Sequence, residues 1–110
     1  MEITTKEGYI VFRPDEKSKF KEILKRFEEL KATYKESNII INLSDTIVNE
    51  IELELFKEIS IEKANNGTSF VIVKKGMDMD KLSDNLVVVP TLQEAIDIIE
   101  FDEMTRSLDF

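Results

Sequence analysis

Two short β-branched runs, separated by a helix-length interval, dominate the hydrophobic pattern of the chain. Positions 38–43 read Asn-Ile-Ile-Ile-Asn-Leu and positions 69–73 read Ser-Phe-Val-Ile-Val. Neither alternates with polar residues, as expected of strands covered on both faces. The interval is too long for a hairpin and suits a crossover helix, which sets the two strands parallel in one sheet. Such a unit offers one functional location, the connection at the carboxyl end of the first strand, here 44–50.

Ahead of this unit, Ile3 and the run Tyr9, Ile10, Val11 and Phe12 are strand-like and flank Lys6, Glu7 and Gly8. The glycine can take a positive φ, so an antiparallel hairpin at the sheet edge is predicted. Phe20, Ile23, Leu24, Phe27, Leu30 and Tyr34 recur at helical spacing and predict an amphipathic helix over about 16–36 that covers the sheet. In the crossover, Asn49 with Glu52 predicts a capping box and a helix from about 50, ending at Asn65, Asn66 and Gly67. On it Ile51, Leu55 and Ile59 fall on one stripe with Phe56 beside it, while Leu53, Ile61 and Ala64 point more nearly the other way. The helix is therefore either wedged between neighbours or partly an interaction face. Residues 74–85 read as a loop with one helical turn near Leu82, and 86–89 as a short last strand. Thr91 with Glu94 forms a second capping box, which opens the last helix.

That last helix changes face. Leu92, Ala95, Ile96 and Ile99 make one stripe, and its continuation meets Glu103 and Arg106, which cannot stay buried unpaired. Phe101, Met104 and Leu108 lie nearly opposite. No proline or glycine supplies a bend, so a straight helix is predicted that projects beyond its own domain over about 100–110 and offers a second stripe with Phe101 as anchor. A protein partner or a symmetry mate, giving a homodimer, is the expected occupant; the alternative is a frayed tail folded loosely back on the sheet. Residues 93–110 carry six acids and one arginine, a net of −5, so the docking surface should be basic or neutral.

The order β-β-α-β-α-β-(β)-α gives an α/β fold. A mixed sheet of about four or five strands is expected, with an N-terminal hairpin and three main helices, mostly on one face, in a single domain over 1–110.

Composition narrows the chemistry. The chain has no cysteine and no histidine, which removes disulfides, cysteine and histidine zinc sites, and histidine-based nucleophile systems. A net charge of −8 without a basic patch argues against nucleic acid. No run is apolar enough for a signal peptide or a membrane span, so a cytoplasmic location is expected. Asp78, Asp80 and Asp84 lack the glycine and distal glutamate of a calcium loop and read as a solvated acidic loop. Gly8, Gly67 and Gly76 are isolated and make no phosphate-cradling loop. Asp45 stands where catalytic carboxylates sit in α/β folds, but without a histidine or lysine partner it gives little for acid–base work. No catalytic residue, metal or cofactor is predicted. Ser44 and Thr46 are either turn-forming hydroxyls or phosphorylation sites near a helix start.

The strand end Ile-Ile-Ile-Asn-Leu-Ser, the helix closing on Asn-Asn-Gly, the strand Phe-Val-Ile-Val and the final Val-Pro-Thr-Leu-Gln-Glu-Ala start together resemble the STAS domain, the fold of sulphate-transporter and anti-sigma-antagonist proteins. The resemblance spans about 2–99 and is nearest to small stand-alone bacterial proteins of this kind, encoded beside ribonuclease Z. That nuclease needs a histidine-rich two-zinc site, which a chain without histidine cannot build. The resemblance implies a non-enzymatic regulatory module that docks on a protein, such as an anti-sigma factor or a kinase-like regulator. The surface would comprise Ser44, Asp45, Thr46, Asn49, Glu50 and Glu54, with Phe101, Met104 and Leu108 on the helix extension. The family's phosphorylated serine falls near 49–53, where this chain offers no hydroxyl; Glu50 and Glu52 would keep that surface acidic. A carrier of small apolar or anionic ligands beneath the helices is the alternative. A large apolar pocket would favour the carrier, and a flat exposed patch the module.

Overall fold

A computed structural model of the chain describes residues 1–108. Its elements are β1 (Glu2–Lys6), β2 (Tyr9–Arg13), α1 (Phe20–Leu30), β3 (Ile39–Asn42), α2 (Glu50–Leu53), α3 (Lys57–Asn65), β4 (Phe70–Val73), β5 (Val88–Val89) and α4 (Leu92–Leu108). A single 3-10 turn, Glu54–Phe56, joins α2 to α3, and another, Met79–Lys81, lies between β4 and β5. The fold is α/β, as the pattern predicts: one mixed sheet of five strands in the order β1-β2-β3-β4-β5. β1 and β2 form the antiparallel hairpin, turning at Gly8 with φ 89°, and every other pairing is parallel.

Strand order follows chain order, so the two helical crossovers step the same way across the sheet. Crossovers of one hand then lie on one face. α1 and α2–α3 pack there, over Ile10, Phe12, Ile39, Ile41, Phe70 and Ile72. The core between them is aromatic: Phe27 meets Phe12 at 5.1 Å, Phe70 at 5.5 Å and Phe56 at 6.0 Å, and Phe56 meets Phe70 at 5.6 Å. Ile40, Val71 and Val73 point the other way, as strand alternation requires. They are covered by Ala95 and Ile99 of α4. Two of the three main helices thus share a face, and the last takes the other.

α1 is shorter than its apolar spacing predicts. After Leu30 the chain continues in hydrogen-bonded turns, though Tyr34 still reaches the core, with its ring 5.3 Å from Phe12. The turn carbonyls are drawn off by Lys63 of α3, whose Nζ donates to Tyr34 O at 2.5 Å, Ser37 O at 2.6 Å and Lys35 O at 3.3 Å.

α4 is one unbroken helix, and the continuation of its inner face is polar and paired. Ser69 Oγ donates to Asp102 at 2.7 Å, Arg106 donates to Ser69 Oγ at 2.9 Å, and Asn38 Nδ2 donates to Glu103 at 2.6 Å. The helix therefore stays against its own sheet as far as Arg106, which corrects the expectation that it projects beyond the domain: the polar continuation of its inner face finds partners in Asn38 and Ser69. Buried Asn38 is the hub: its amide also donates to Gly8 O at 2.9 Å, and its carbonyl accepts from Ser69 N at 2.9 Å. Asn38→Asp replaces both donor contacts by a carboxylate facing Glu103 and a carbonyl, and should cost about 2–4 kcal/mol at neutral pH. Part of the loss should return on acidification, as the crowded carboxyl takes up a proton. Urea midpoints at neutral and acid pH measure both effects. A midpoint unchanged from the parent at neutral pH would show that this hub does not hold the helix.

Candidate functional site

The carboxyl end of β3 runs into a tightly fixed connection. Leu43 N donates to Val73 O at 2.9 Å, Thr46 N to Leu43 O at 3.0 Å, and Lys74 Nζ to Thr46 O at 2.6 Å. Asn42 Oδ1 accepts from both Ser44 N (3.1 Å) and Ser44 Oγ (2.6 Å), a side-chain turn that asparagine supplies readily. The predicted capping box is present: Glu52 N donates to Asn49 Oδ1 at 2.8 Å, and Asn49 N to Glu52 Oε1 at 3.0 Å.

Ser44, Asp45, Thr46, Asn49, Glu50 and Glu54 are brought to this one end of the sheet. Ser44 is open to solvent. Thr46 is 1% exposed and its Oγ1 has no hydrogen-bond partner among the described residues, so a kinase could reach it only if the connection opened. Asp45 has a partner that sequence separation concealed: Arg13, at the end of β2, donates to its carboxylate. That bond and the attendant charge raise the Arg13 pKa. The pair ties the end of β2 to the connection after β3.

Glu50 and Glu54 are not loose rim charges. Glu50 accepts from Asp78 N at 2.8 Å and Glu54 from Ser83 N at 2.5 Å, so the two carboxylates pin the β4–β5 connection against the helix. The Asp78 bond, followed by one from Glu50's own N–H, lowers the Glu50 pKa. Their replacement by lysine would disturb the loop as well as the surface.

The exposed residues here are apolar. Ile47 is 96% exposed, Ile51 81% and Leu55 58%, while Leu53, Phe56 and Ile59 are buried. The inward face of α2–α3 is thus Leu53, Phe56, Ile59, Ser60 and Lys63, and the Ile51–Leu55–Ile59 stripe read from spacing is split. Two polar residues on the buried side explain the misreading. Ser60 donates to Asn85 O, and Lys63 to the three carbonyls after α1. Ile47 lies in the connection and Ile51 and Leu55 on the helical segment that follows, where Ile51 lines a shallow hollow of about 310 Å³ with Asn49, Glu50, Glu54 and Lys81. The only sequence signal for Ile47 is its place between Thr46 and Val48, both of which turn inward.

Phe101, Met104 and Leu108 do not join this group. They are exposed on α4, which covers the opposite face of the sheet. No group of three acidic, histidine or cysteine side chains among the described residues could hold a metal ion, and no described helix is long and apolar enough to cross a membrane. No family model matches the chain, and no curated protein matches it.

Proposed function

We propose that this chain is a non-enzymatic regulatory module that binds a protein partner, in the manner of the anti-sigma factor antagonists whose sequence layout it resembles. The observation that carries the reading is the exposure of Ile47, Ile51 and Leu55 beside the carboxyl end of β3. Large apolar side chains gathered on a surface and rimmed by polar groups mark interaction sites. The rim is built to stay in place: Asn49 and Glu52 cap the helix, Asp45 is held by Arg13, and Glu50 and Glu54 are held by backbone N–H groups. A preorganised surface of this kind loses little side-chain entropy on docking. The carrier reading has less support, because the space between the sheet and the first two helices is filled by Phe12, Phe27, Phe56 and Phe70.

Docking here does not depend on phosphate at 49–53, since that stretch has no hydroxyl and its acids are engaged structurally. Ile51→Asp with Leu55→Asp should abolish partner capture from native extract while leaving the unfolding free energy from urea titration within about 0.5 kcal/mol, as surface substitutions usually do. The same proteins retained by parent and double variant would overturn the proposal.

A further inference from the structure

The outward face of α4 carries a second, differently built surface. At alternating spacings of three and four, Glu94, Asp97, Phe101, Met104 and Leu108 occupy successive seam positions of a heptad. Two acids come first, then three apolar side chains that are 68%, 64% and 76% exposed. Glu94 is held by the Thr91 hydroxyl and Asp97 by the Gln93 amide, both neutral donors, and the one cation of α4, Arg106, is turned inward to Ser69 and Glu103, so no cation of the helix pairs with the outer acids.

We propose that this seam docks a basic amphipathic helix of another protein, with its apolar residues over Phe101, Met104 and Leu108 and its lysines or arginines over Glu94 and Asp97. A second copy fits poorly. Parallel pairing sets Asp97 against Asp97 and Glu94 against Glu94. Antiparallel pairing about Met104 sets Asp97 just past the carbonyl end of the other helix, which is also negative, and leaves Glu94 without a partner. A basic helix makes the same acids favourable and fixes its own register by them. The surface lies across the sheet from Ile51 and Leu55, so the inference goes beyond the docking proposed there and can fail separately.

The test uses two synthetic helical peptides of about 18 residues, with leucine at the seam positions and either lysine or glutamate flanking them. Each is titrated into the full chain by fluorescence anisotropy at about 0.1 M salt. The lysine peptide should bind, and the glutamate peptide at least about tenfold more weakly. Phe101→Asp with Met104→Asp should weaken the lysine peptide about tenfold or more. Mere charge attraction predicts the reverse, since that variant is two charges more negative. Leu108→Asp alone should act in the same direction, and Ile51→Asp with Leu55→Asp should leave binding unchanged. No binding of the lysine peptide, equal binding of both peptides, or loss confined to the Ile51 and Leu55 variant would overturn the proposal. A parent dimer that Phe101→Asp dissociates would overturn it in favour of a second copy.

Discussion

A chain ending at Pro90 should show no cooperative thermal transition. Truncation removes Ala95 and Ile99, both essentially buried, with half-buried Ile96 and Ile98, and uncovers Ile40, Val71 and Val73 in the centre of the sheet. Burial of an aliphatic side chain is worth about 1.5–3 kcal/mol, and several are lost from each side of this contact. The polar ties of Asn38 to Glu103 and of Ser69 to Asp102 and Arg106 go with them. A domain of this size has about 5–15 kcal/mol in all, so the loss reaches the whole of its stability. A Pro90-terminated chain that melts cooperatively within a few degrees of the parent would show that α4 is an appendage. In that case the sheet's second face must be stable bare.

The elements whose specification is local were legible in the sequence. The capping box of Asn49 with Glu52 depends on residues three positions apart and forms as read, and Thr91 caps the last helix by accepting from Glu94 N, although its hydroxyl rather than its backbone N–H meets the Glu94 carboxylate. The hairpin needs little more than Gly8 between two strand-like runs, and the helix stop at Gly67, with φ 76°, needs only its own freedom at positive φ. Continuity of α4 through the reversal of its apolar stripe was also legible, from the absence of any residue that would bend it. Arrangements fixed by distant partners were not. Which side of α2–α3 faces inward is decided by Leu53 and Phe56 together with Ser60 and Lys63, whose acceptors lie 25 and more positions away. A periodicity that counts only apolar residues therefore grouped Ile51 and Leu55 with buried Ile59 and left open which side faces inward, so the surface they form emerges only in the folded chain. Strand order had the same status: once the strands are known to run in chain order, the last helix has one open face to cover.

Lys63→Met should destabilise the fold by about 2–4 kcal/mol at neutral pH and should remove a pH dependence as well. The Nζ of Lys63 is enclosed against the turns that follow α1, where Tyr34, Lys35 and Ser37 present three carbonyls. Methionine fills the path of the side chain but donates to none of them, so the carbonyls are left without the partner that draws the turn into place. Burial pushes the Lys63 pKa down to about 8, with the charge of Glu36 working in the opposite sense. The unfolded chain keeps the ordinary value near 10.5, so between about 8 and 10.5 it binds more protons at this residue than the folded chain does. Stability contributed by this group therefore rises with pH across that window and is flat below it. The gap between parent and Lys63→Met should be smallest at pH 8 and lower, and should widen toward pH 10.5. Urea titrations of both proteins across this range measure the gap, and their difference isolates the contribution of residue 63. A gap that stays constant with pH would show that Lys63 keeps its proton in the folded state as firmly as in the unfolded. No gap at all would show that the turn holds its shape without the amine.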